Sequence, residues 1–191
     1  MENASIVRVL AISGSLRRAS SNTALVDAAA RLAPASVHVS IYRELATLPP
    51  FNPDLDNQTP AAVTRFRHEL QACDAVLISS PEYAHGVPGV LKNALDWVVG
   101  SGELVGKPVA LINTSRRAIH AWTSLAETLN VMSALLIRDA SITIPLEGRA
   151  LDSNGISGDI ELSRLVRAAI DALTSHGRAA GRMEYEGRPE I

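Results

Sequence analysis

Cysteine is almost missing from this sequence, since Cys73 is the only one among 191 residues. A single cysteine excludes a disulfide within the chain and a zinc site built from several cysteines. Cys73 precedes Asp74 and an apolar run, so we expect its thiol to be a small buried packing group. The cysteine content therefore fits a reducing compartment such as the cytoplasm.

An excess of charge of one sign and long apolar runs are missing as well. The chain carries 18 basic and 20 acidic residues, so we expect neither a nucleic-acid partner nor a membrane partner. The amino-terminal stretch lacks a basic segment followed by an apolar one, and no run approaches the roughly 18 apolar residues of a membrane-spanning helix. We therefore expect a cytoplasmic protein.

Side-chain sets that carry chemistry by themselves are not visible either. The five histidines are scattered, and their spacing suggests neither a Ser-His-Asp triad nor a metal cluster. His85 and His120 lie on or just after two polar loops, where they are either solvated or in contact with a ligand. Without a visible nucleophile or metal, we expect the chemistry to belong to a bound cofactor.

What the sequence does contain is an alternation of short apolar runs with amphipathic segments. The pattern predicts an α/β fold, a doubly wound sheet of five parallel strands with helices on both faces. The predicted strands cover residues 6–12, 37–42, 75–78, 108–113 and, within 135–145, most clearly 140–144. The polar positions of the second strand indicate an edge, and the apolar third strand should be central.

The same pattern predicts one domain over residues 1–177 and a polar C-terminal tail over residues 178–191, either disordered or docked on a neighbour. Residues 43–58 form a long loop with three prolines, which we expect to be stiff and non-helical. That loop is a lid near the site, a subunit contact or a plain connection.

The loop over residues 14–22 is small, rich in hydroxyl groups and basic. It lies between a strand and a helix, where the amides of the first helical turn favour an anion. Ser15, Ser20, Ser21 and Asn22 can donate hydrogen bonds, and Arg17 or Arg18 can grip phosphate oxygens. The alternative is that Ser20 or Ser21 only caps the helix. One glycine is too few for a dinucleotide fingerprint, so a terminal phosphate fits better.

A second loop follows the third predicted strand, over residues 79–89. Its two prolines should hold an extended shape that lies along a flat ring, with Tyr83 or His85 against the ring plane. The alternative is a simple turn into the next helix. The loops after strands one, three and four should converge at the carboxyl edge of the sheet. A flat ring together with a terminal phosphate describes FMN.

Two motifs carry a resemblance to a known family. Residues 14–22 match Gly-Ser-x-Arg-x-x-Ser-x-Asn, and Pro-Glu-Tyr at 81–83 continues into Pro-Gly-Val-Leu-Lys-Asn-Ala-Leu-Asp-Trp at 88–97. The chain thereby resembles the NADPH-dependent FMN reductase family, flavodoxin-like proteins that include quinone, azo-dye and chromate reductases. The resemblance covers residues 6–132, including the loop at 48–54.

The resemblance implies a role for each matching residue. It implies that the FMN phosphate is bound by Ser15, Arg17, Ser20 and Asn22. It implies that Pro81, Glu82 and Tyr83 run beside the isoalloxazine ring, with Ser115 near the pyrimidine edge.

Two departures from the family pattern bear on the site. Many members carry asparagine after Pro-Glu-Tyr, whereas this chain has Ala84 followed by His85, so a backbone amide contact is expected in place of a side-chain hydrogen bond. Arg116 and Arg117 stand where a glycine-rich turn is expected, and they should attract the extra phosphate of NADPH.

The resemblance also implies the activity and the assembly. Hydride would pass from NADPH or NADH through flavin N5 to an acceptor such as free flavin, a quinone, an azo compound or a metal oxyanion, without a catalytic side chain. A homodimer or homotetramer is implied, and Phe51, Trp97 and Trp122 either face a partner or pack in the core. The alternatives are an electron carrier without a nicotinamide site and a protein that has lost the cofactor.

Overall fold

A computed structural model describes the backbone of residues 6–186 and the side chains of residues 6–176. Within that range the chain forms a five-stranded sheet in the order β2-β1-β3-β4-β5, and each neighbouring pair is parallel. The strands are β1 (Val7–Ser13), β2 (Val37–Tyr42), β3 (Ala75–Ser79), β4 (Pro108–Leu111) and β5 (Leu135–Leu136). The helices are α1 (Ser21–Leu32), α2 (Ala61–Ala72), α3 (Gly89–Val99), α4 (Ile119–Val131), α5 (Ser153–Gly158) and α6 (Ile160–Glu186).

The helices cover both faces of the sheet, as predicted. Successive residues of β1 point to opposite faces, because side chains alternate along a strand. Val9 and Ala11 pack in a cluster with residues of α1 and α6. Leu10 and Ile12 pack in a second cluster with residues of α2, α3 and α4. Both faces of the strand are therefore buried, as expected for a parallel sheet, and the doubly wound α/β fold is confirmed.

The strand register brings three loops to one edge of the sheet. Ser13 pairs with Ser79, and Ile78 pairs with Leu111, so β1, β3 and β4 end side by side. The next strand along the chain, β2, pairs with one side of β1, and β3 pairs with the other side. The boundary between β1 and β3 is therefore the topological switch point. The predicted edge position of β2 and central position of β3 are confirmed.

The fifth strand lies within the predicted range of residues 135–145, but the prediction was wrong in placing its clearest part at residues 140–144. β5 pairs with β4 over only two residues, and a 3₁₀ turn at Arg138–Ala140 then interrupts the ladder. At the interruption the amide of Leu111 donates to the Ser141 hydroxyl at 3.1 Å instead of to a strand carbonyl. Pairing resumes at a single bridge between Asn113 and Thr143.

The loop at residues 43–58 was predicted to be non-helical, which was also wrong. It contains 3₁₀ turns at Leu45–Thr47 and Pro53–Gln58. Proline is compatible with the first turn of a helix, and the Asn52 side chain caps that turn by accepting from the Asp54 amide at 3.0 Å. The preceding segment is held by α3, because the Pro49 carbonyl accepts from Asn93 Nδ2 at 2.9 Å and from Trp97 Nε1 at 2.8 Å.

Two further expectations concern single residues and the chain end. Cys73 is buried, as predicted, and burial raises the pKa of its thiol.

The helix α6 continues to Glu186 through most of the segment assigned to a tail, which is rich in alanine and arginine, both good helix formers. Residues 187–191 lie outside the described residues. Over residues 6–186, no helix is long and apolar enough to cross a membrane.

Candidate active site

The first polar loop begins where two strands end in close contact. The amide of Gly14 donates to the Ser79 carbonyl at 2.9 Å. A Cβ atom at position 14 would lie 2.6 Å from Ser80 Oγ and 3.1 Å from Leu91 Cδ2, so the Ser80 hydroxyl would have to move to make room for it. Glycine is therefore the residue that fits without a shift where the β1 loop approaches the β3 loop.

The hydroxyl groups of this loop accept hydrogen bonds from backbone amides of the loop and of the first turn of α1. Ser15 Oγ accepts from the Arg17 amide at 3.3 Å, and Ser20 Oγ accepts from the Thr23 amide at 3.3 Å. Ser20 is thus the N-cap of α1, as the capping alternative supposed. A hydroxyl that accepts can still donate its proton, so capping is compatible with binding an anion. Arg17 and Arg18 are exposed beside these groups.

The Asn22 side chain connects the three loops. It is 5% exposed, and its Oδ1 accepts from Ser79 Oγ at 2.9 Å and from Thr114 Oγ1 at 3.2 Å. Asn22 stands on α1, Ser79 ends β3 and Thr114 follows β4. Since Oδ1 receives both hydroxyl protons, the amide Nδ2 is the group that can donate to a ligand. The sequence pointed to Asn22 as a ligand contact but not to this joining role.

An open cleft of about 270 Å³ lies where the loops meet. Four of the predicted site residues line it, namely Asn22, Pro81, Glu82 and Ser115. Ser15, Arg17 and Ser20 lie on the loop that leads into Asn22, and Tyr83, Ala84 and His85 continue directly from Glu82. Arg117, which was expected to attract the extra phosphate of NADPH, also lines the cleft, and the structure adds lining residues that were given no role from the sequence: Ser80, Asn113, Thr114 and Ala118.

The segment after Glu82 is a strained two-residue turn. Tyr83 and Gly86 exchange backbone hydrogen bonds of 3.1 and 2.9 Å, and the two residues between them, Ala84 and His85, have φ of 49° and 59°. Tight hairpin turns of this kind favour asparagine or glycine, because the left-handed conformation is energetically unfavourable for most other residues. Tyr83 is 50% exposed at the start of the turn.

The loop after β4 is fixed by its own side chains and by a residue beyond β5. Asn113 Oδ1 accepts from the Ser115 amide at 3.0 Å, and Asn113 Nδ2 donates to the Ala118 carbonyl at 3.0 Å. Glu147 Oε1 accepts from the Arg116 amide at 2.5 Å. Sequence reasoning missed Glu147, because nothing in its spacing connects it to the β4 loop.

Glu147 is negatively charged at the bottom of this loop. A hydrogen bond from the Ser115 hydroxyl is the main reason that the pKa of the Glu147 carboxyl lies below its ordinary value. Because this pKa is lower in the folded protein, the ionised carboxylate stabilises the loop fully at any pH above the ordinary pKa of a glutamate. The stabilisation is lost only as the pH falls through the lowered pKa. The loop is therefore anchored at neutral pH.

Two histidines that are 35 positions apart in sequence meet at the rim of the site. The ring centroids of His85 and His120 are 4.2 Å apart, with an angle of 24° between the planes. Next to this contact, Glu82 Oε2 accepts from the Ala121 amide at 2.8 Å. The β3 loop is thus tied to the first turn of α4 at two points.

These features define a class of protein. A doubly wound sheet with a hydroxyl-rich, basic loop at the switch point and a cleft across the neighbouring loops is the architecture of a flavodoxin-like flavin protein. The family model for NADPH-dependent FMN reductase matches residues 7–147. The chain belongs to the NADPH-dependent FMN reductase family, and it is an FMN-dependent NAD(P)H oxidoreductase.

Similar proteins agree with this assignment. An NAD(P)H-dependent FMN reductase of Pseudomonas aeruginosa is 32% identical over 173 residues, covering 87% of this chain and 93% of that protein. A 2-hydroxy-1,4-benzoquinone reductase of a Burkholderia species is 34% identical over 155 residues, covering 78% and 84%. The flavoenzyme FerB of Paracoccus denitrificans, an NAD(P)H:acceptor oxidoreductase, superposes with a TM-score of 0.78 at 29% identity, covering 90% and 99%.

Proposed function

We propose that the converging loops hold FMN, with its phosphate on the β1 loop and its ring system in the cleft. The observation that carries the proposal is the hydrogen bonding of two hydroxyl groups. Ser15 Oγ accepts from the Arg17 amide and Ser20 Oγ accepts from the Thr23 amide in the first turn of α1, so both protons are free to be donated to phosphate oxygens. The side chain of Arg17 adds a charge-assisted contact beside them.

The ring system has a different environment in this proposal. Pro81 and Glu82 on one loop and Ser115 on the other line the cleft, and the turn formed by Tyr83, Ala84 and His85 extends its rim. When bound, FMN supplies the hydride chemistry between NAD(P)H and an acceptor. The residues of the chain orient the ring and place backbone amides near it, so that no side chain needs to act as acid or base.

The acceptor that we propose is a small molecule of the quinone class. The Burkholderia relative is named for a hydroxybenzoquinone, and the Pseudomonas relative for FMN. The open cleft leaves one side of the site accessible to a planar acceptor. Steady-state oxidation of NADPH with 1,4-benzoquinone, with free FMN and with no added acceptor tests this proposal. Turnover that is independent of the added quinone would contradict it.

NADPH should be preferred over NADH because of Arg116 and Arg117. Both guanidinium groups are exposed on the fixed β4 loop, and Arg117 lines the cleft. A forked guanidinium recognises a phosphate through charge-assisted hydrogen bonds. In the double variant Arg116→Ala/Arg117→Ala we expect the ratio of kcat/KM for NADPH to kcat/KM for NADH to fall by about 10- to 150-fold, the value of one such bond.

The control for this prediction is Arg138→Ala, which removes an exposed arginine of the 3₁₀ turn beyond β5. It should leave the ratio unchanged. Equal losses with NADPH and NADH in the double variant would mean that the two arginines act on the flavin or on the loop, and not on the extra phosphate.

We also propose that the protein is cytoplasmic and assembles as a homodimer or homotetramer. Phe51 is 39% exposed, whereas Trp97 is fully buried and belongs to the core. Val105, Val131 and Leu135 are between 49% and 72% exposed, and the backbone bond between Gly106 and Ser133 brings their segments together. Apolar patches of this kind favour association. Light scattering on the purified protein should give a multiple of 20.3 kDa, and a monomer at micromolar concentration would contradict the proposal.

A further inference from the structure

We propose that His120 is a positioning residue for the flavin, because its ring holds the strained turn at residues 83–86 in place. The inference depends on the FMN site described above and adds a residue to it that lies outside both family motifs. His120 acts through His85, with which it is stacked.

The turn needs such support because its own residues do not favour it. Ala84 and His85 both have positive φ, 49° and 59°, in a place where glycine or asparagine would be relaxed. Two consecutive side-chain-bearing residues in this conformation persist only when surrounding contacts hold them. The bridge between Tyr83 and Gly86 closes the turn on itself but does not attach it to the rest of the protein.

The attachment is to α4. The His85 and His120 rings lie 4.2 Å apart and are inclined by only 24°, a stacked arrangement of the kind that contributes attraction beyond simple burial. The first turn of α4 is a firm base for the ring, because Ala121 and Leu125 are each 3% exposed. Glu82 fixes the entrance of the turn to the same helical turn through the Ala121 amide.

The consequence for the flavin follows from the position of the turn. The turn continues directly from Glu82, which lines the cleft. If the stack is removed, Ala84 and His85 can relax to negative φ, and the backbone amides of the turn then move relative to the ring. Affinity for FMN and the absorption spectrum of the bound flavin should both change. Because His120 is exposed, we expect its removal to change the stability of the fold little.

The test compares the FMN dissociation constants of three single variants with that of the unmodified protein. In His120→Ala we expect FMN to bind about three- to tenfold more weakly, the range for one aromatic pair, with a shifted flavin spectrum and an unchanged melting temperature. His120→Phe keeps a flat ring and should restore affinity and spectrum. His68→Ala, which removes an exposed histidine of α2, should change neither.

A double-variant cycle separates positioning from a simple surface contact. In the Ala84→Gly background the turn is relaxed without support, so His120→Ala should cost less affinity there than in the unmodified protein. An equal cost in both backgrounds, or an unchanged affinity and spectrum in His120→Ala, would overturn the proposal. Arg17→Ala is measured alongside: if it weakens binding while His120→Ala does not, only the positioning role fails; if neither weakens it, the proposed site itself fails.

Discussion

FMN should bind to the Arg17→Ala variant about 10- to 150-fold more weakly than to the unmodified protein, a loss of about 1.5–3 kcal/mol. Arg17 is exposed on the loop between β1 and α1, next to the hydroxyl groups of Ser15 and Ser20. In the proposed complex its guanidinium donates to the phosphate. In the alanine variant only the loop amides remain to stabilise the negative charge of the phosphate. Isothermal titration with FMN measures the loss directly.

The matched control for this prediction is Arg31→Ala, at the opposite end of α1. It removes the same charge from the far end of the helix that follows the loop, and it should leave the FMN affinity unchanged. Riboflavin provides a second comparison, because it lacks the phosphate. Its affinity should be nearly the same for Arg17→Ala and the unmodified protein. If Arg17→Ala binds FMN as tightly as the unmodified protein, the phosphate is not held by this loop in the way proposed.

The Asn22→Ala variant should lose about 2–4 kcal/mol of unfolding free energy and most of its affinity for FMN. The amide Oδ1 is the acceptor for the buried hydroxyls of Ser79 and Thr114, which are 0% and 6% exposed. Without the acceptor, each buried hydroxyl is left unpaired, at a cost of about 1–3 kcal/mol each. Urea denaturation measures the loss of stability, and FMN titration measures the loss of binding.

A second substitution distinguishes unpaired hydroxyls from a loss of packing. In the Asn22→Ala background, Ser79→Ala removes one of the orphaned groups and should recover part of the stability. Asn130→Ala, at an exposed position on α4, is the control and should be nearly neutral. If Ser79→Ala adds its own loss to that of Asn22→Ala, the two side chains do not act as a pair and the joining role of Asn22 is wrong.

The fold was predictable because each central element carries a strong local signal. β3 is a continuous apolar run up to Ser79, and β1 is interrupted only by Arg8 before Ser13. Both strands are followed by polar loops, and α1 and α3 show helical spacing of apolar residues. β5 lacks such a signal. In the segment that follows it, Ile137 and Ile144 are buried on either side of a 3₁₀ turn. The apolar pattern of this segment predicts a strand, although a hydrogen bond to the Ser141 side chain replaces part of the ladder.

The site was predictable in part for a similar reason. Ser15, Arg17 and Asn22 are close in sequence, so a motif could reveal them together. The joining role of Asn22 depends on Thr114, 92 positions away, and the anchoring role of Glu147 depends on the Arg116 amide, 31 positions away. Only the strand order brings such pairs together, and a local pattern carries no information about it.

The measurement that tests the account most directly is an absorption spectrum of the purified protein with added FMN, followed by anaerobic addition of NADPH and, separately, of NADH. The account predicts that the protein binds FMN and that the flavin bands bleach on addition of NADPH, at a lower concentration than with NADH. Bound flavin whose bands persist with both nucleotides would contradict it, because an oxidoreductase of this family must pass hydride from the nucleotide to its flavin.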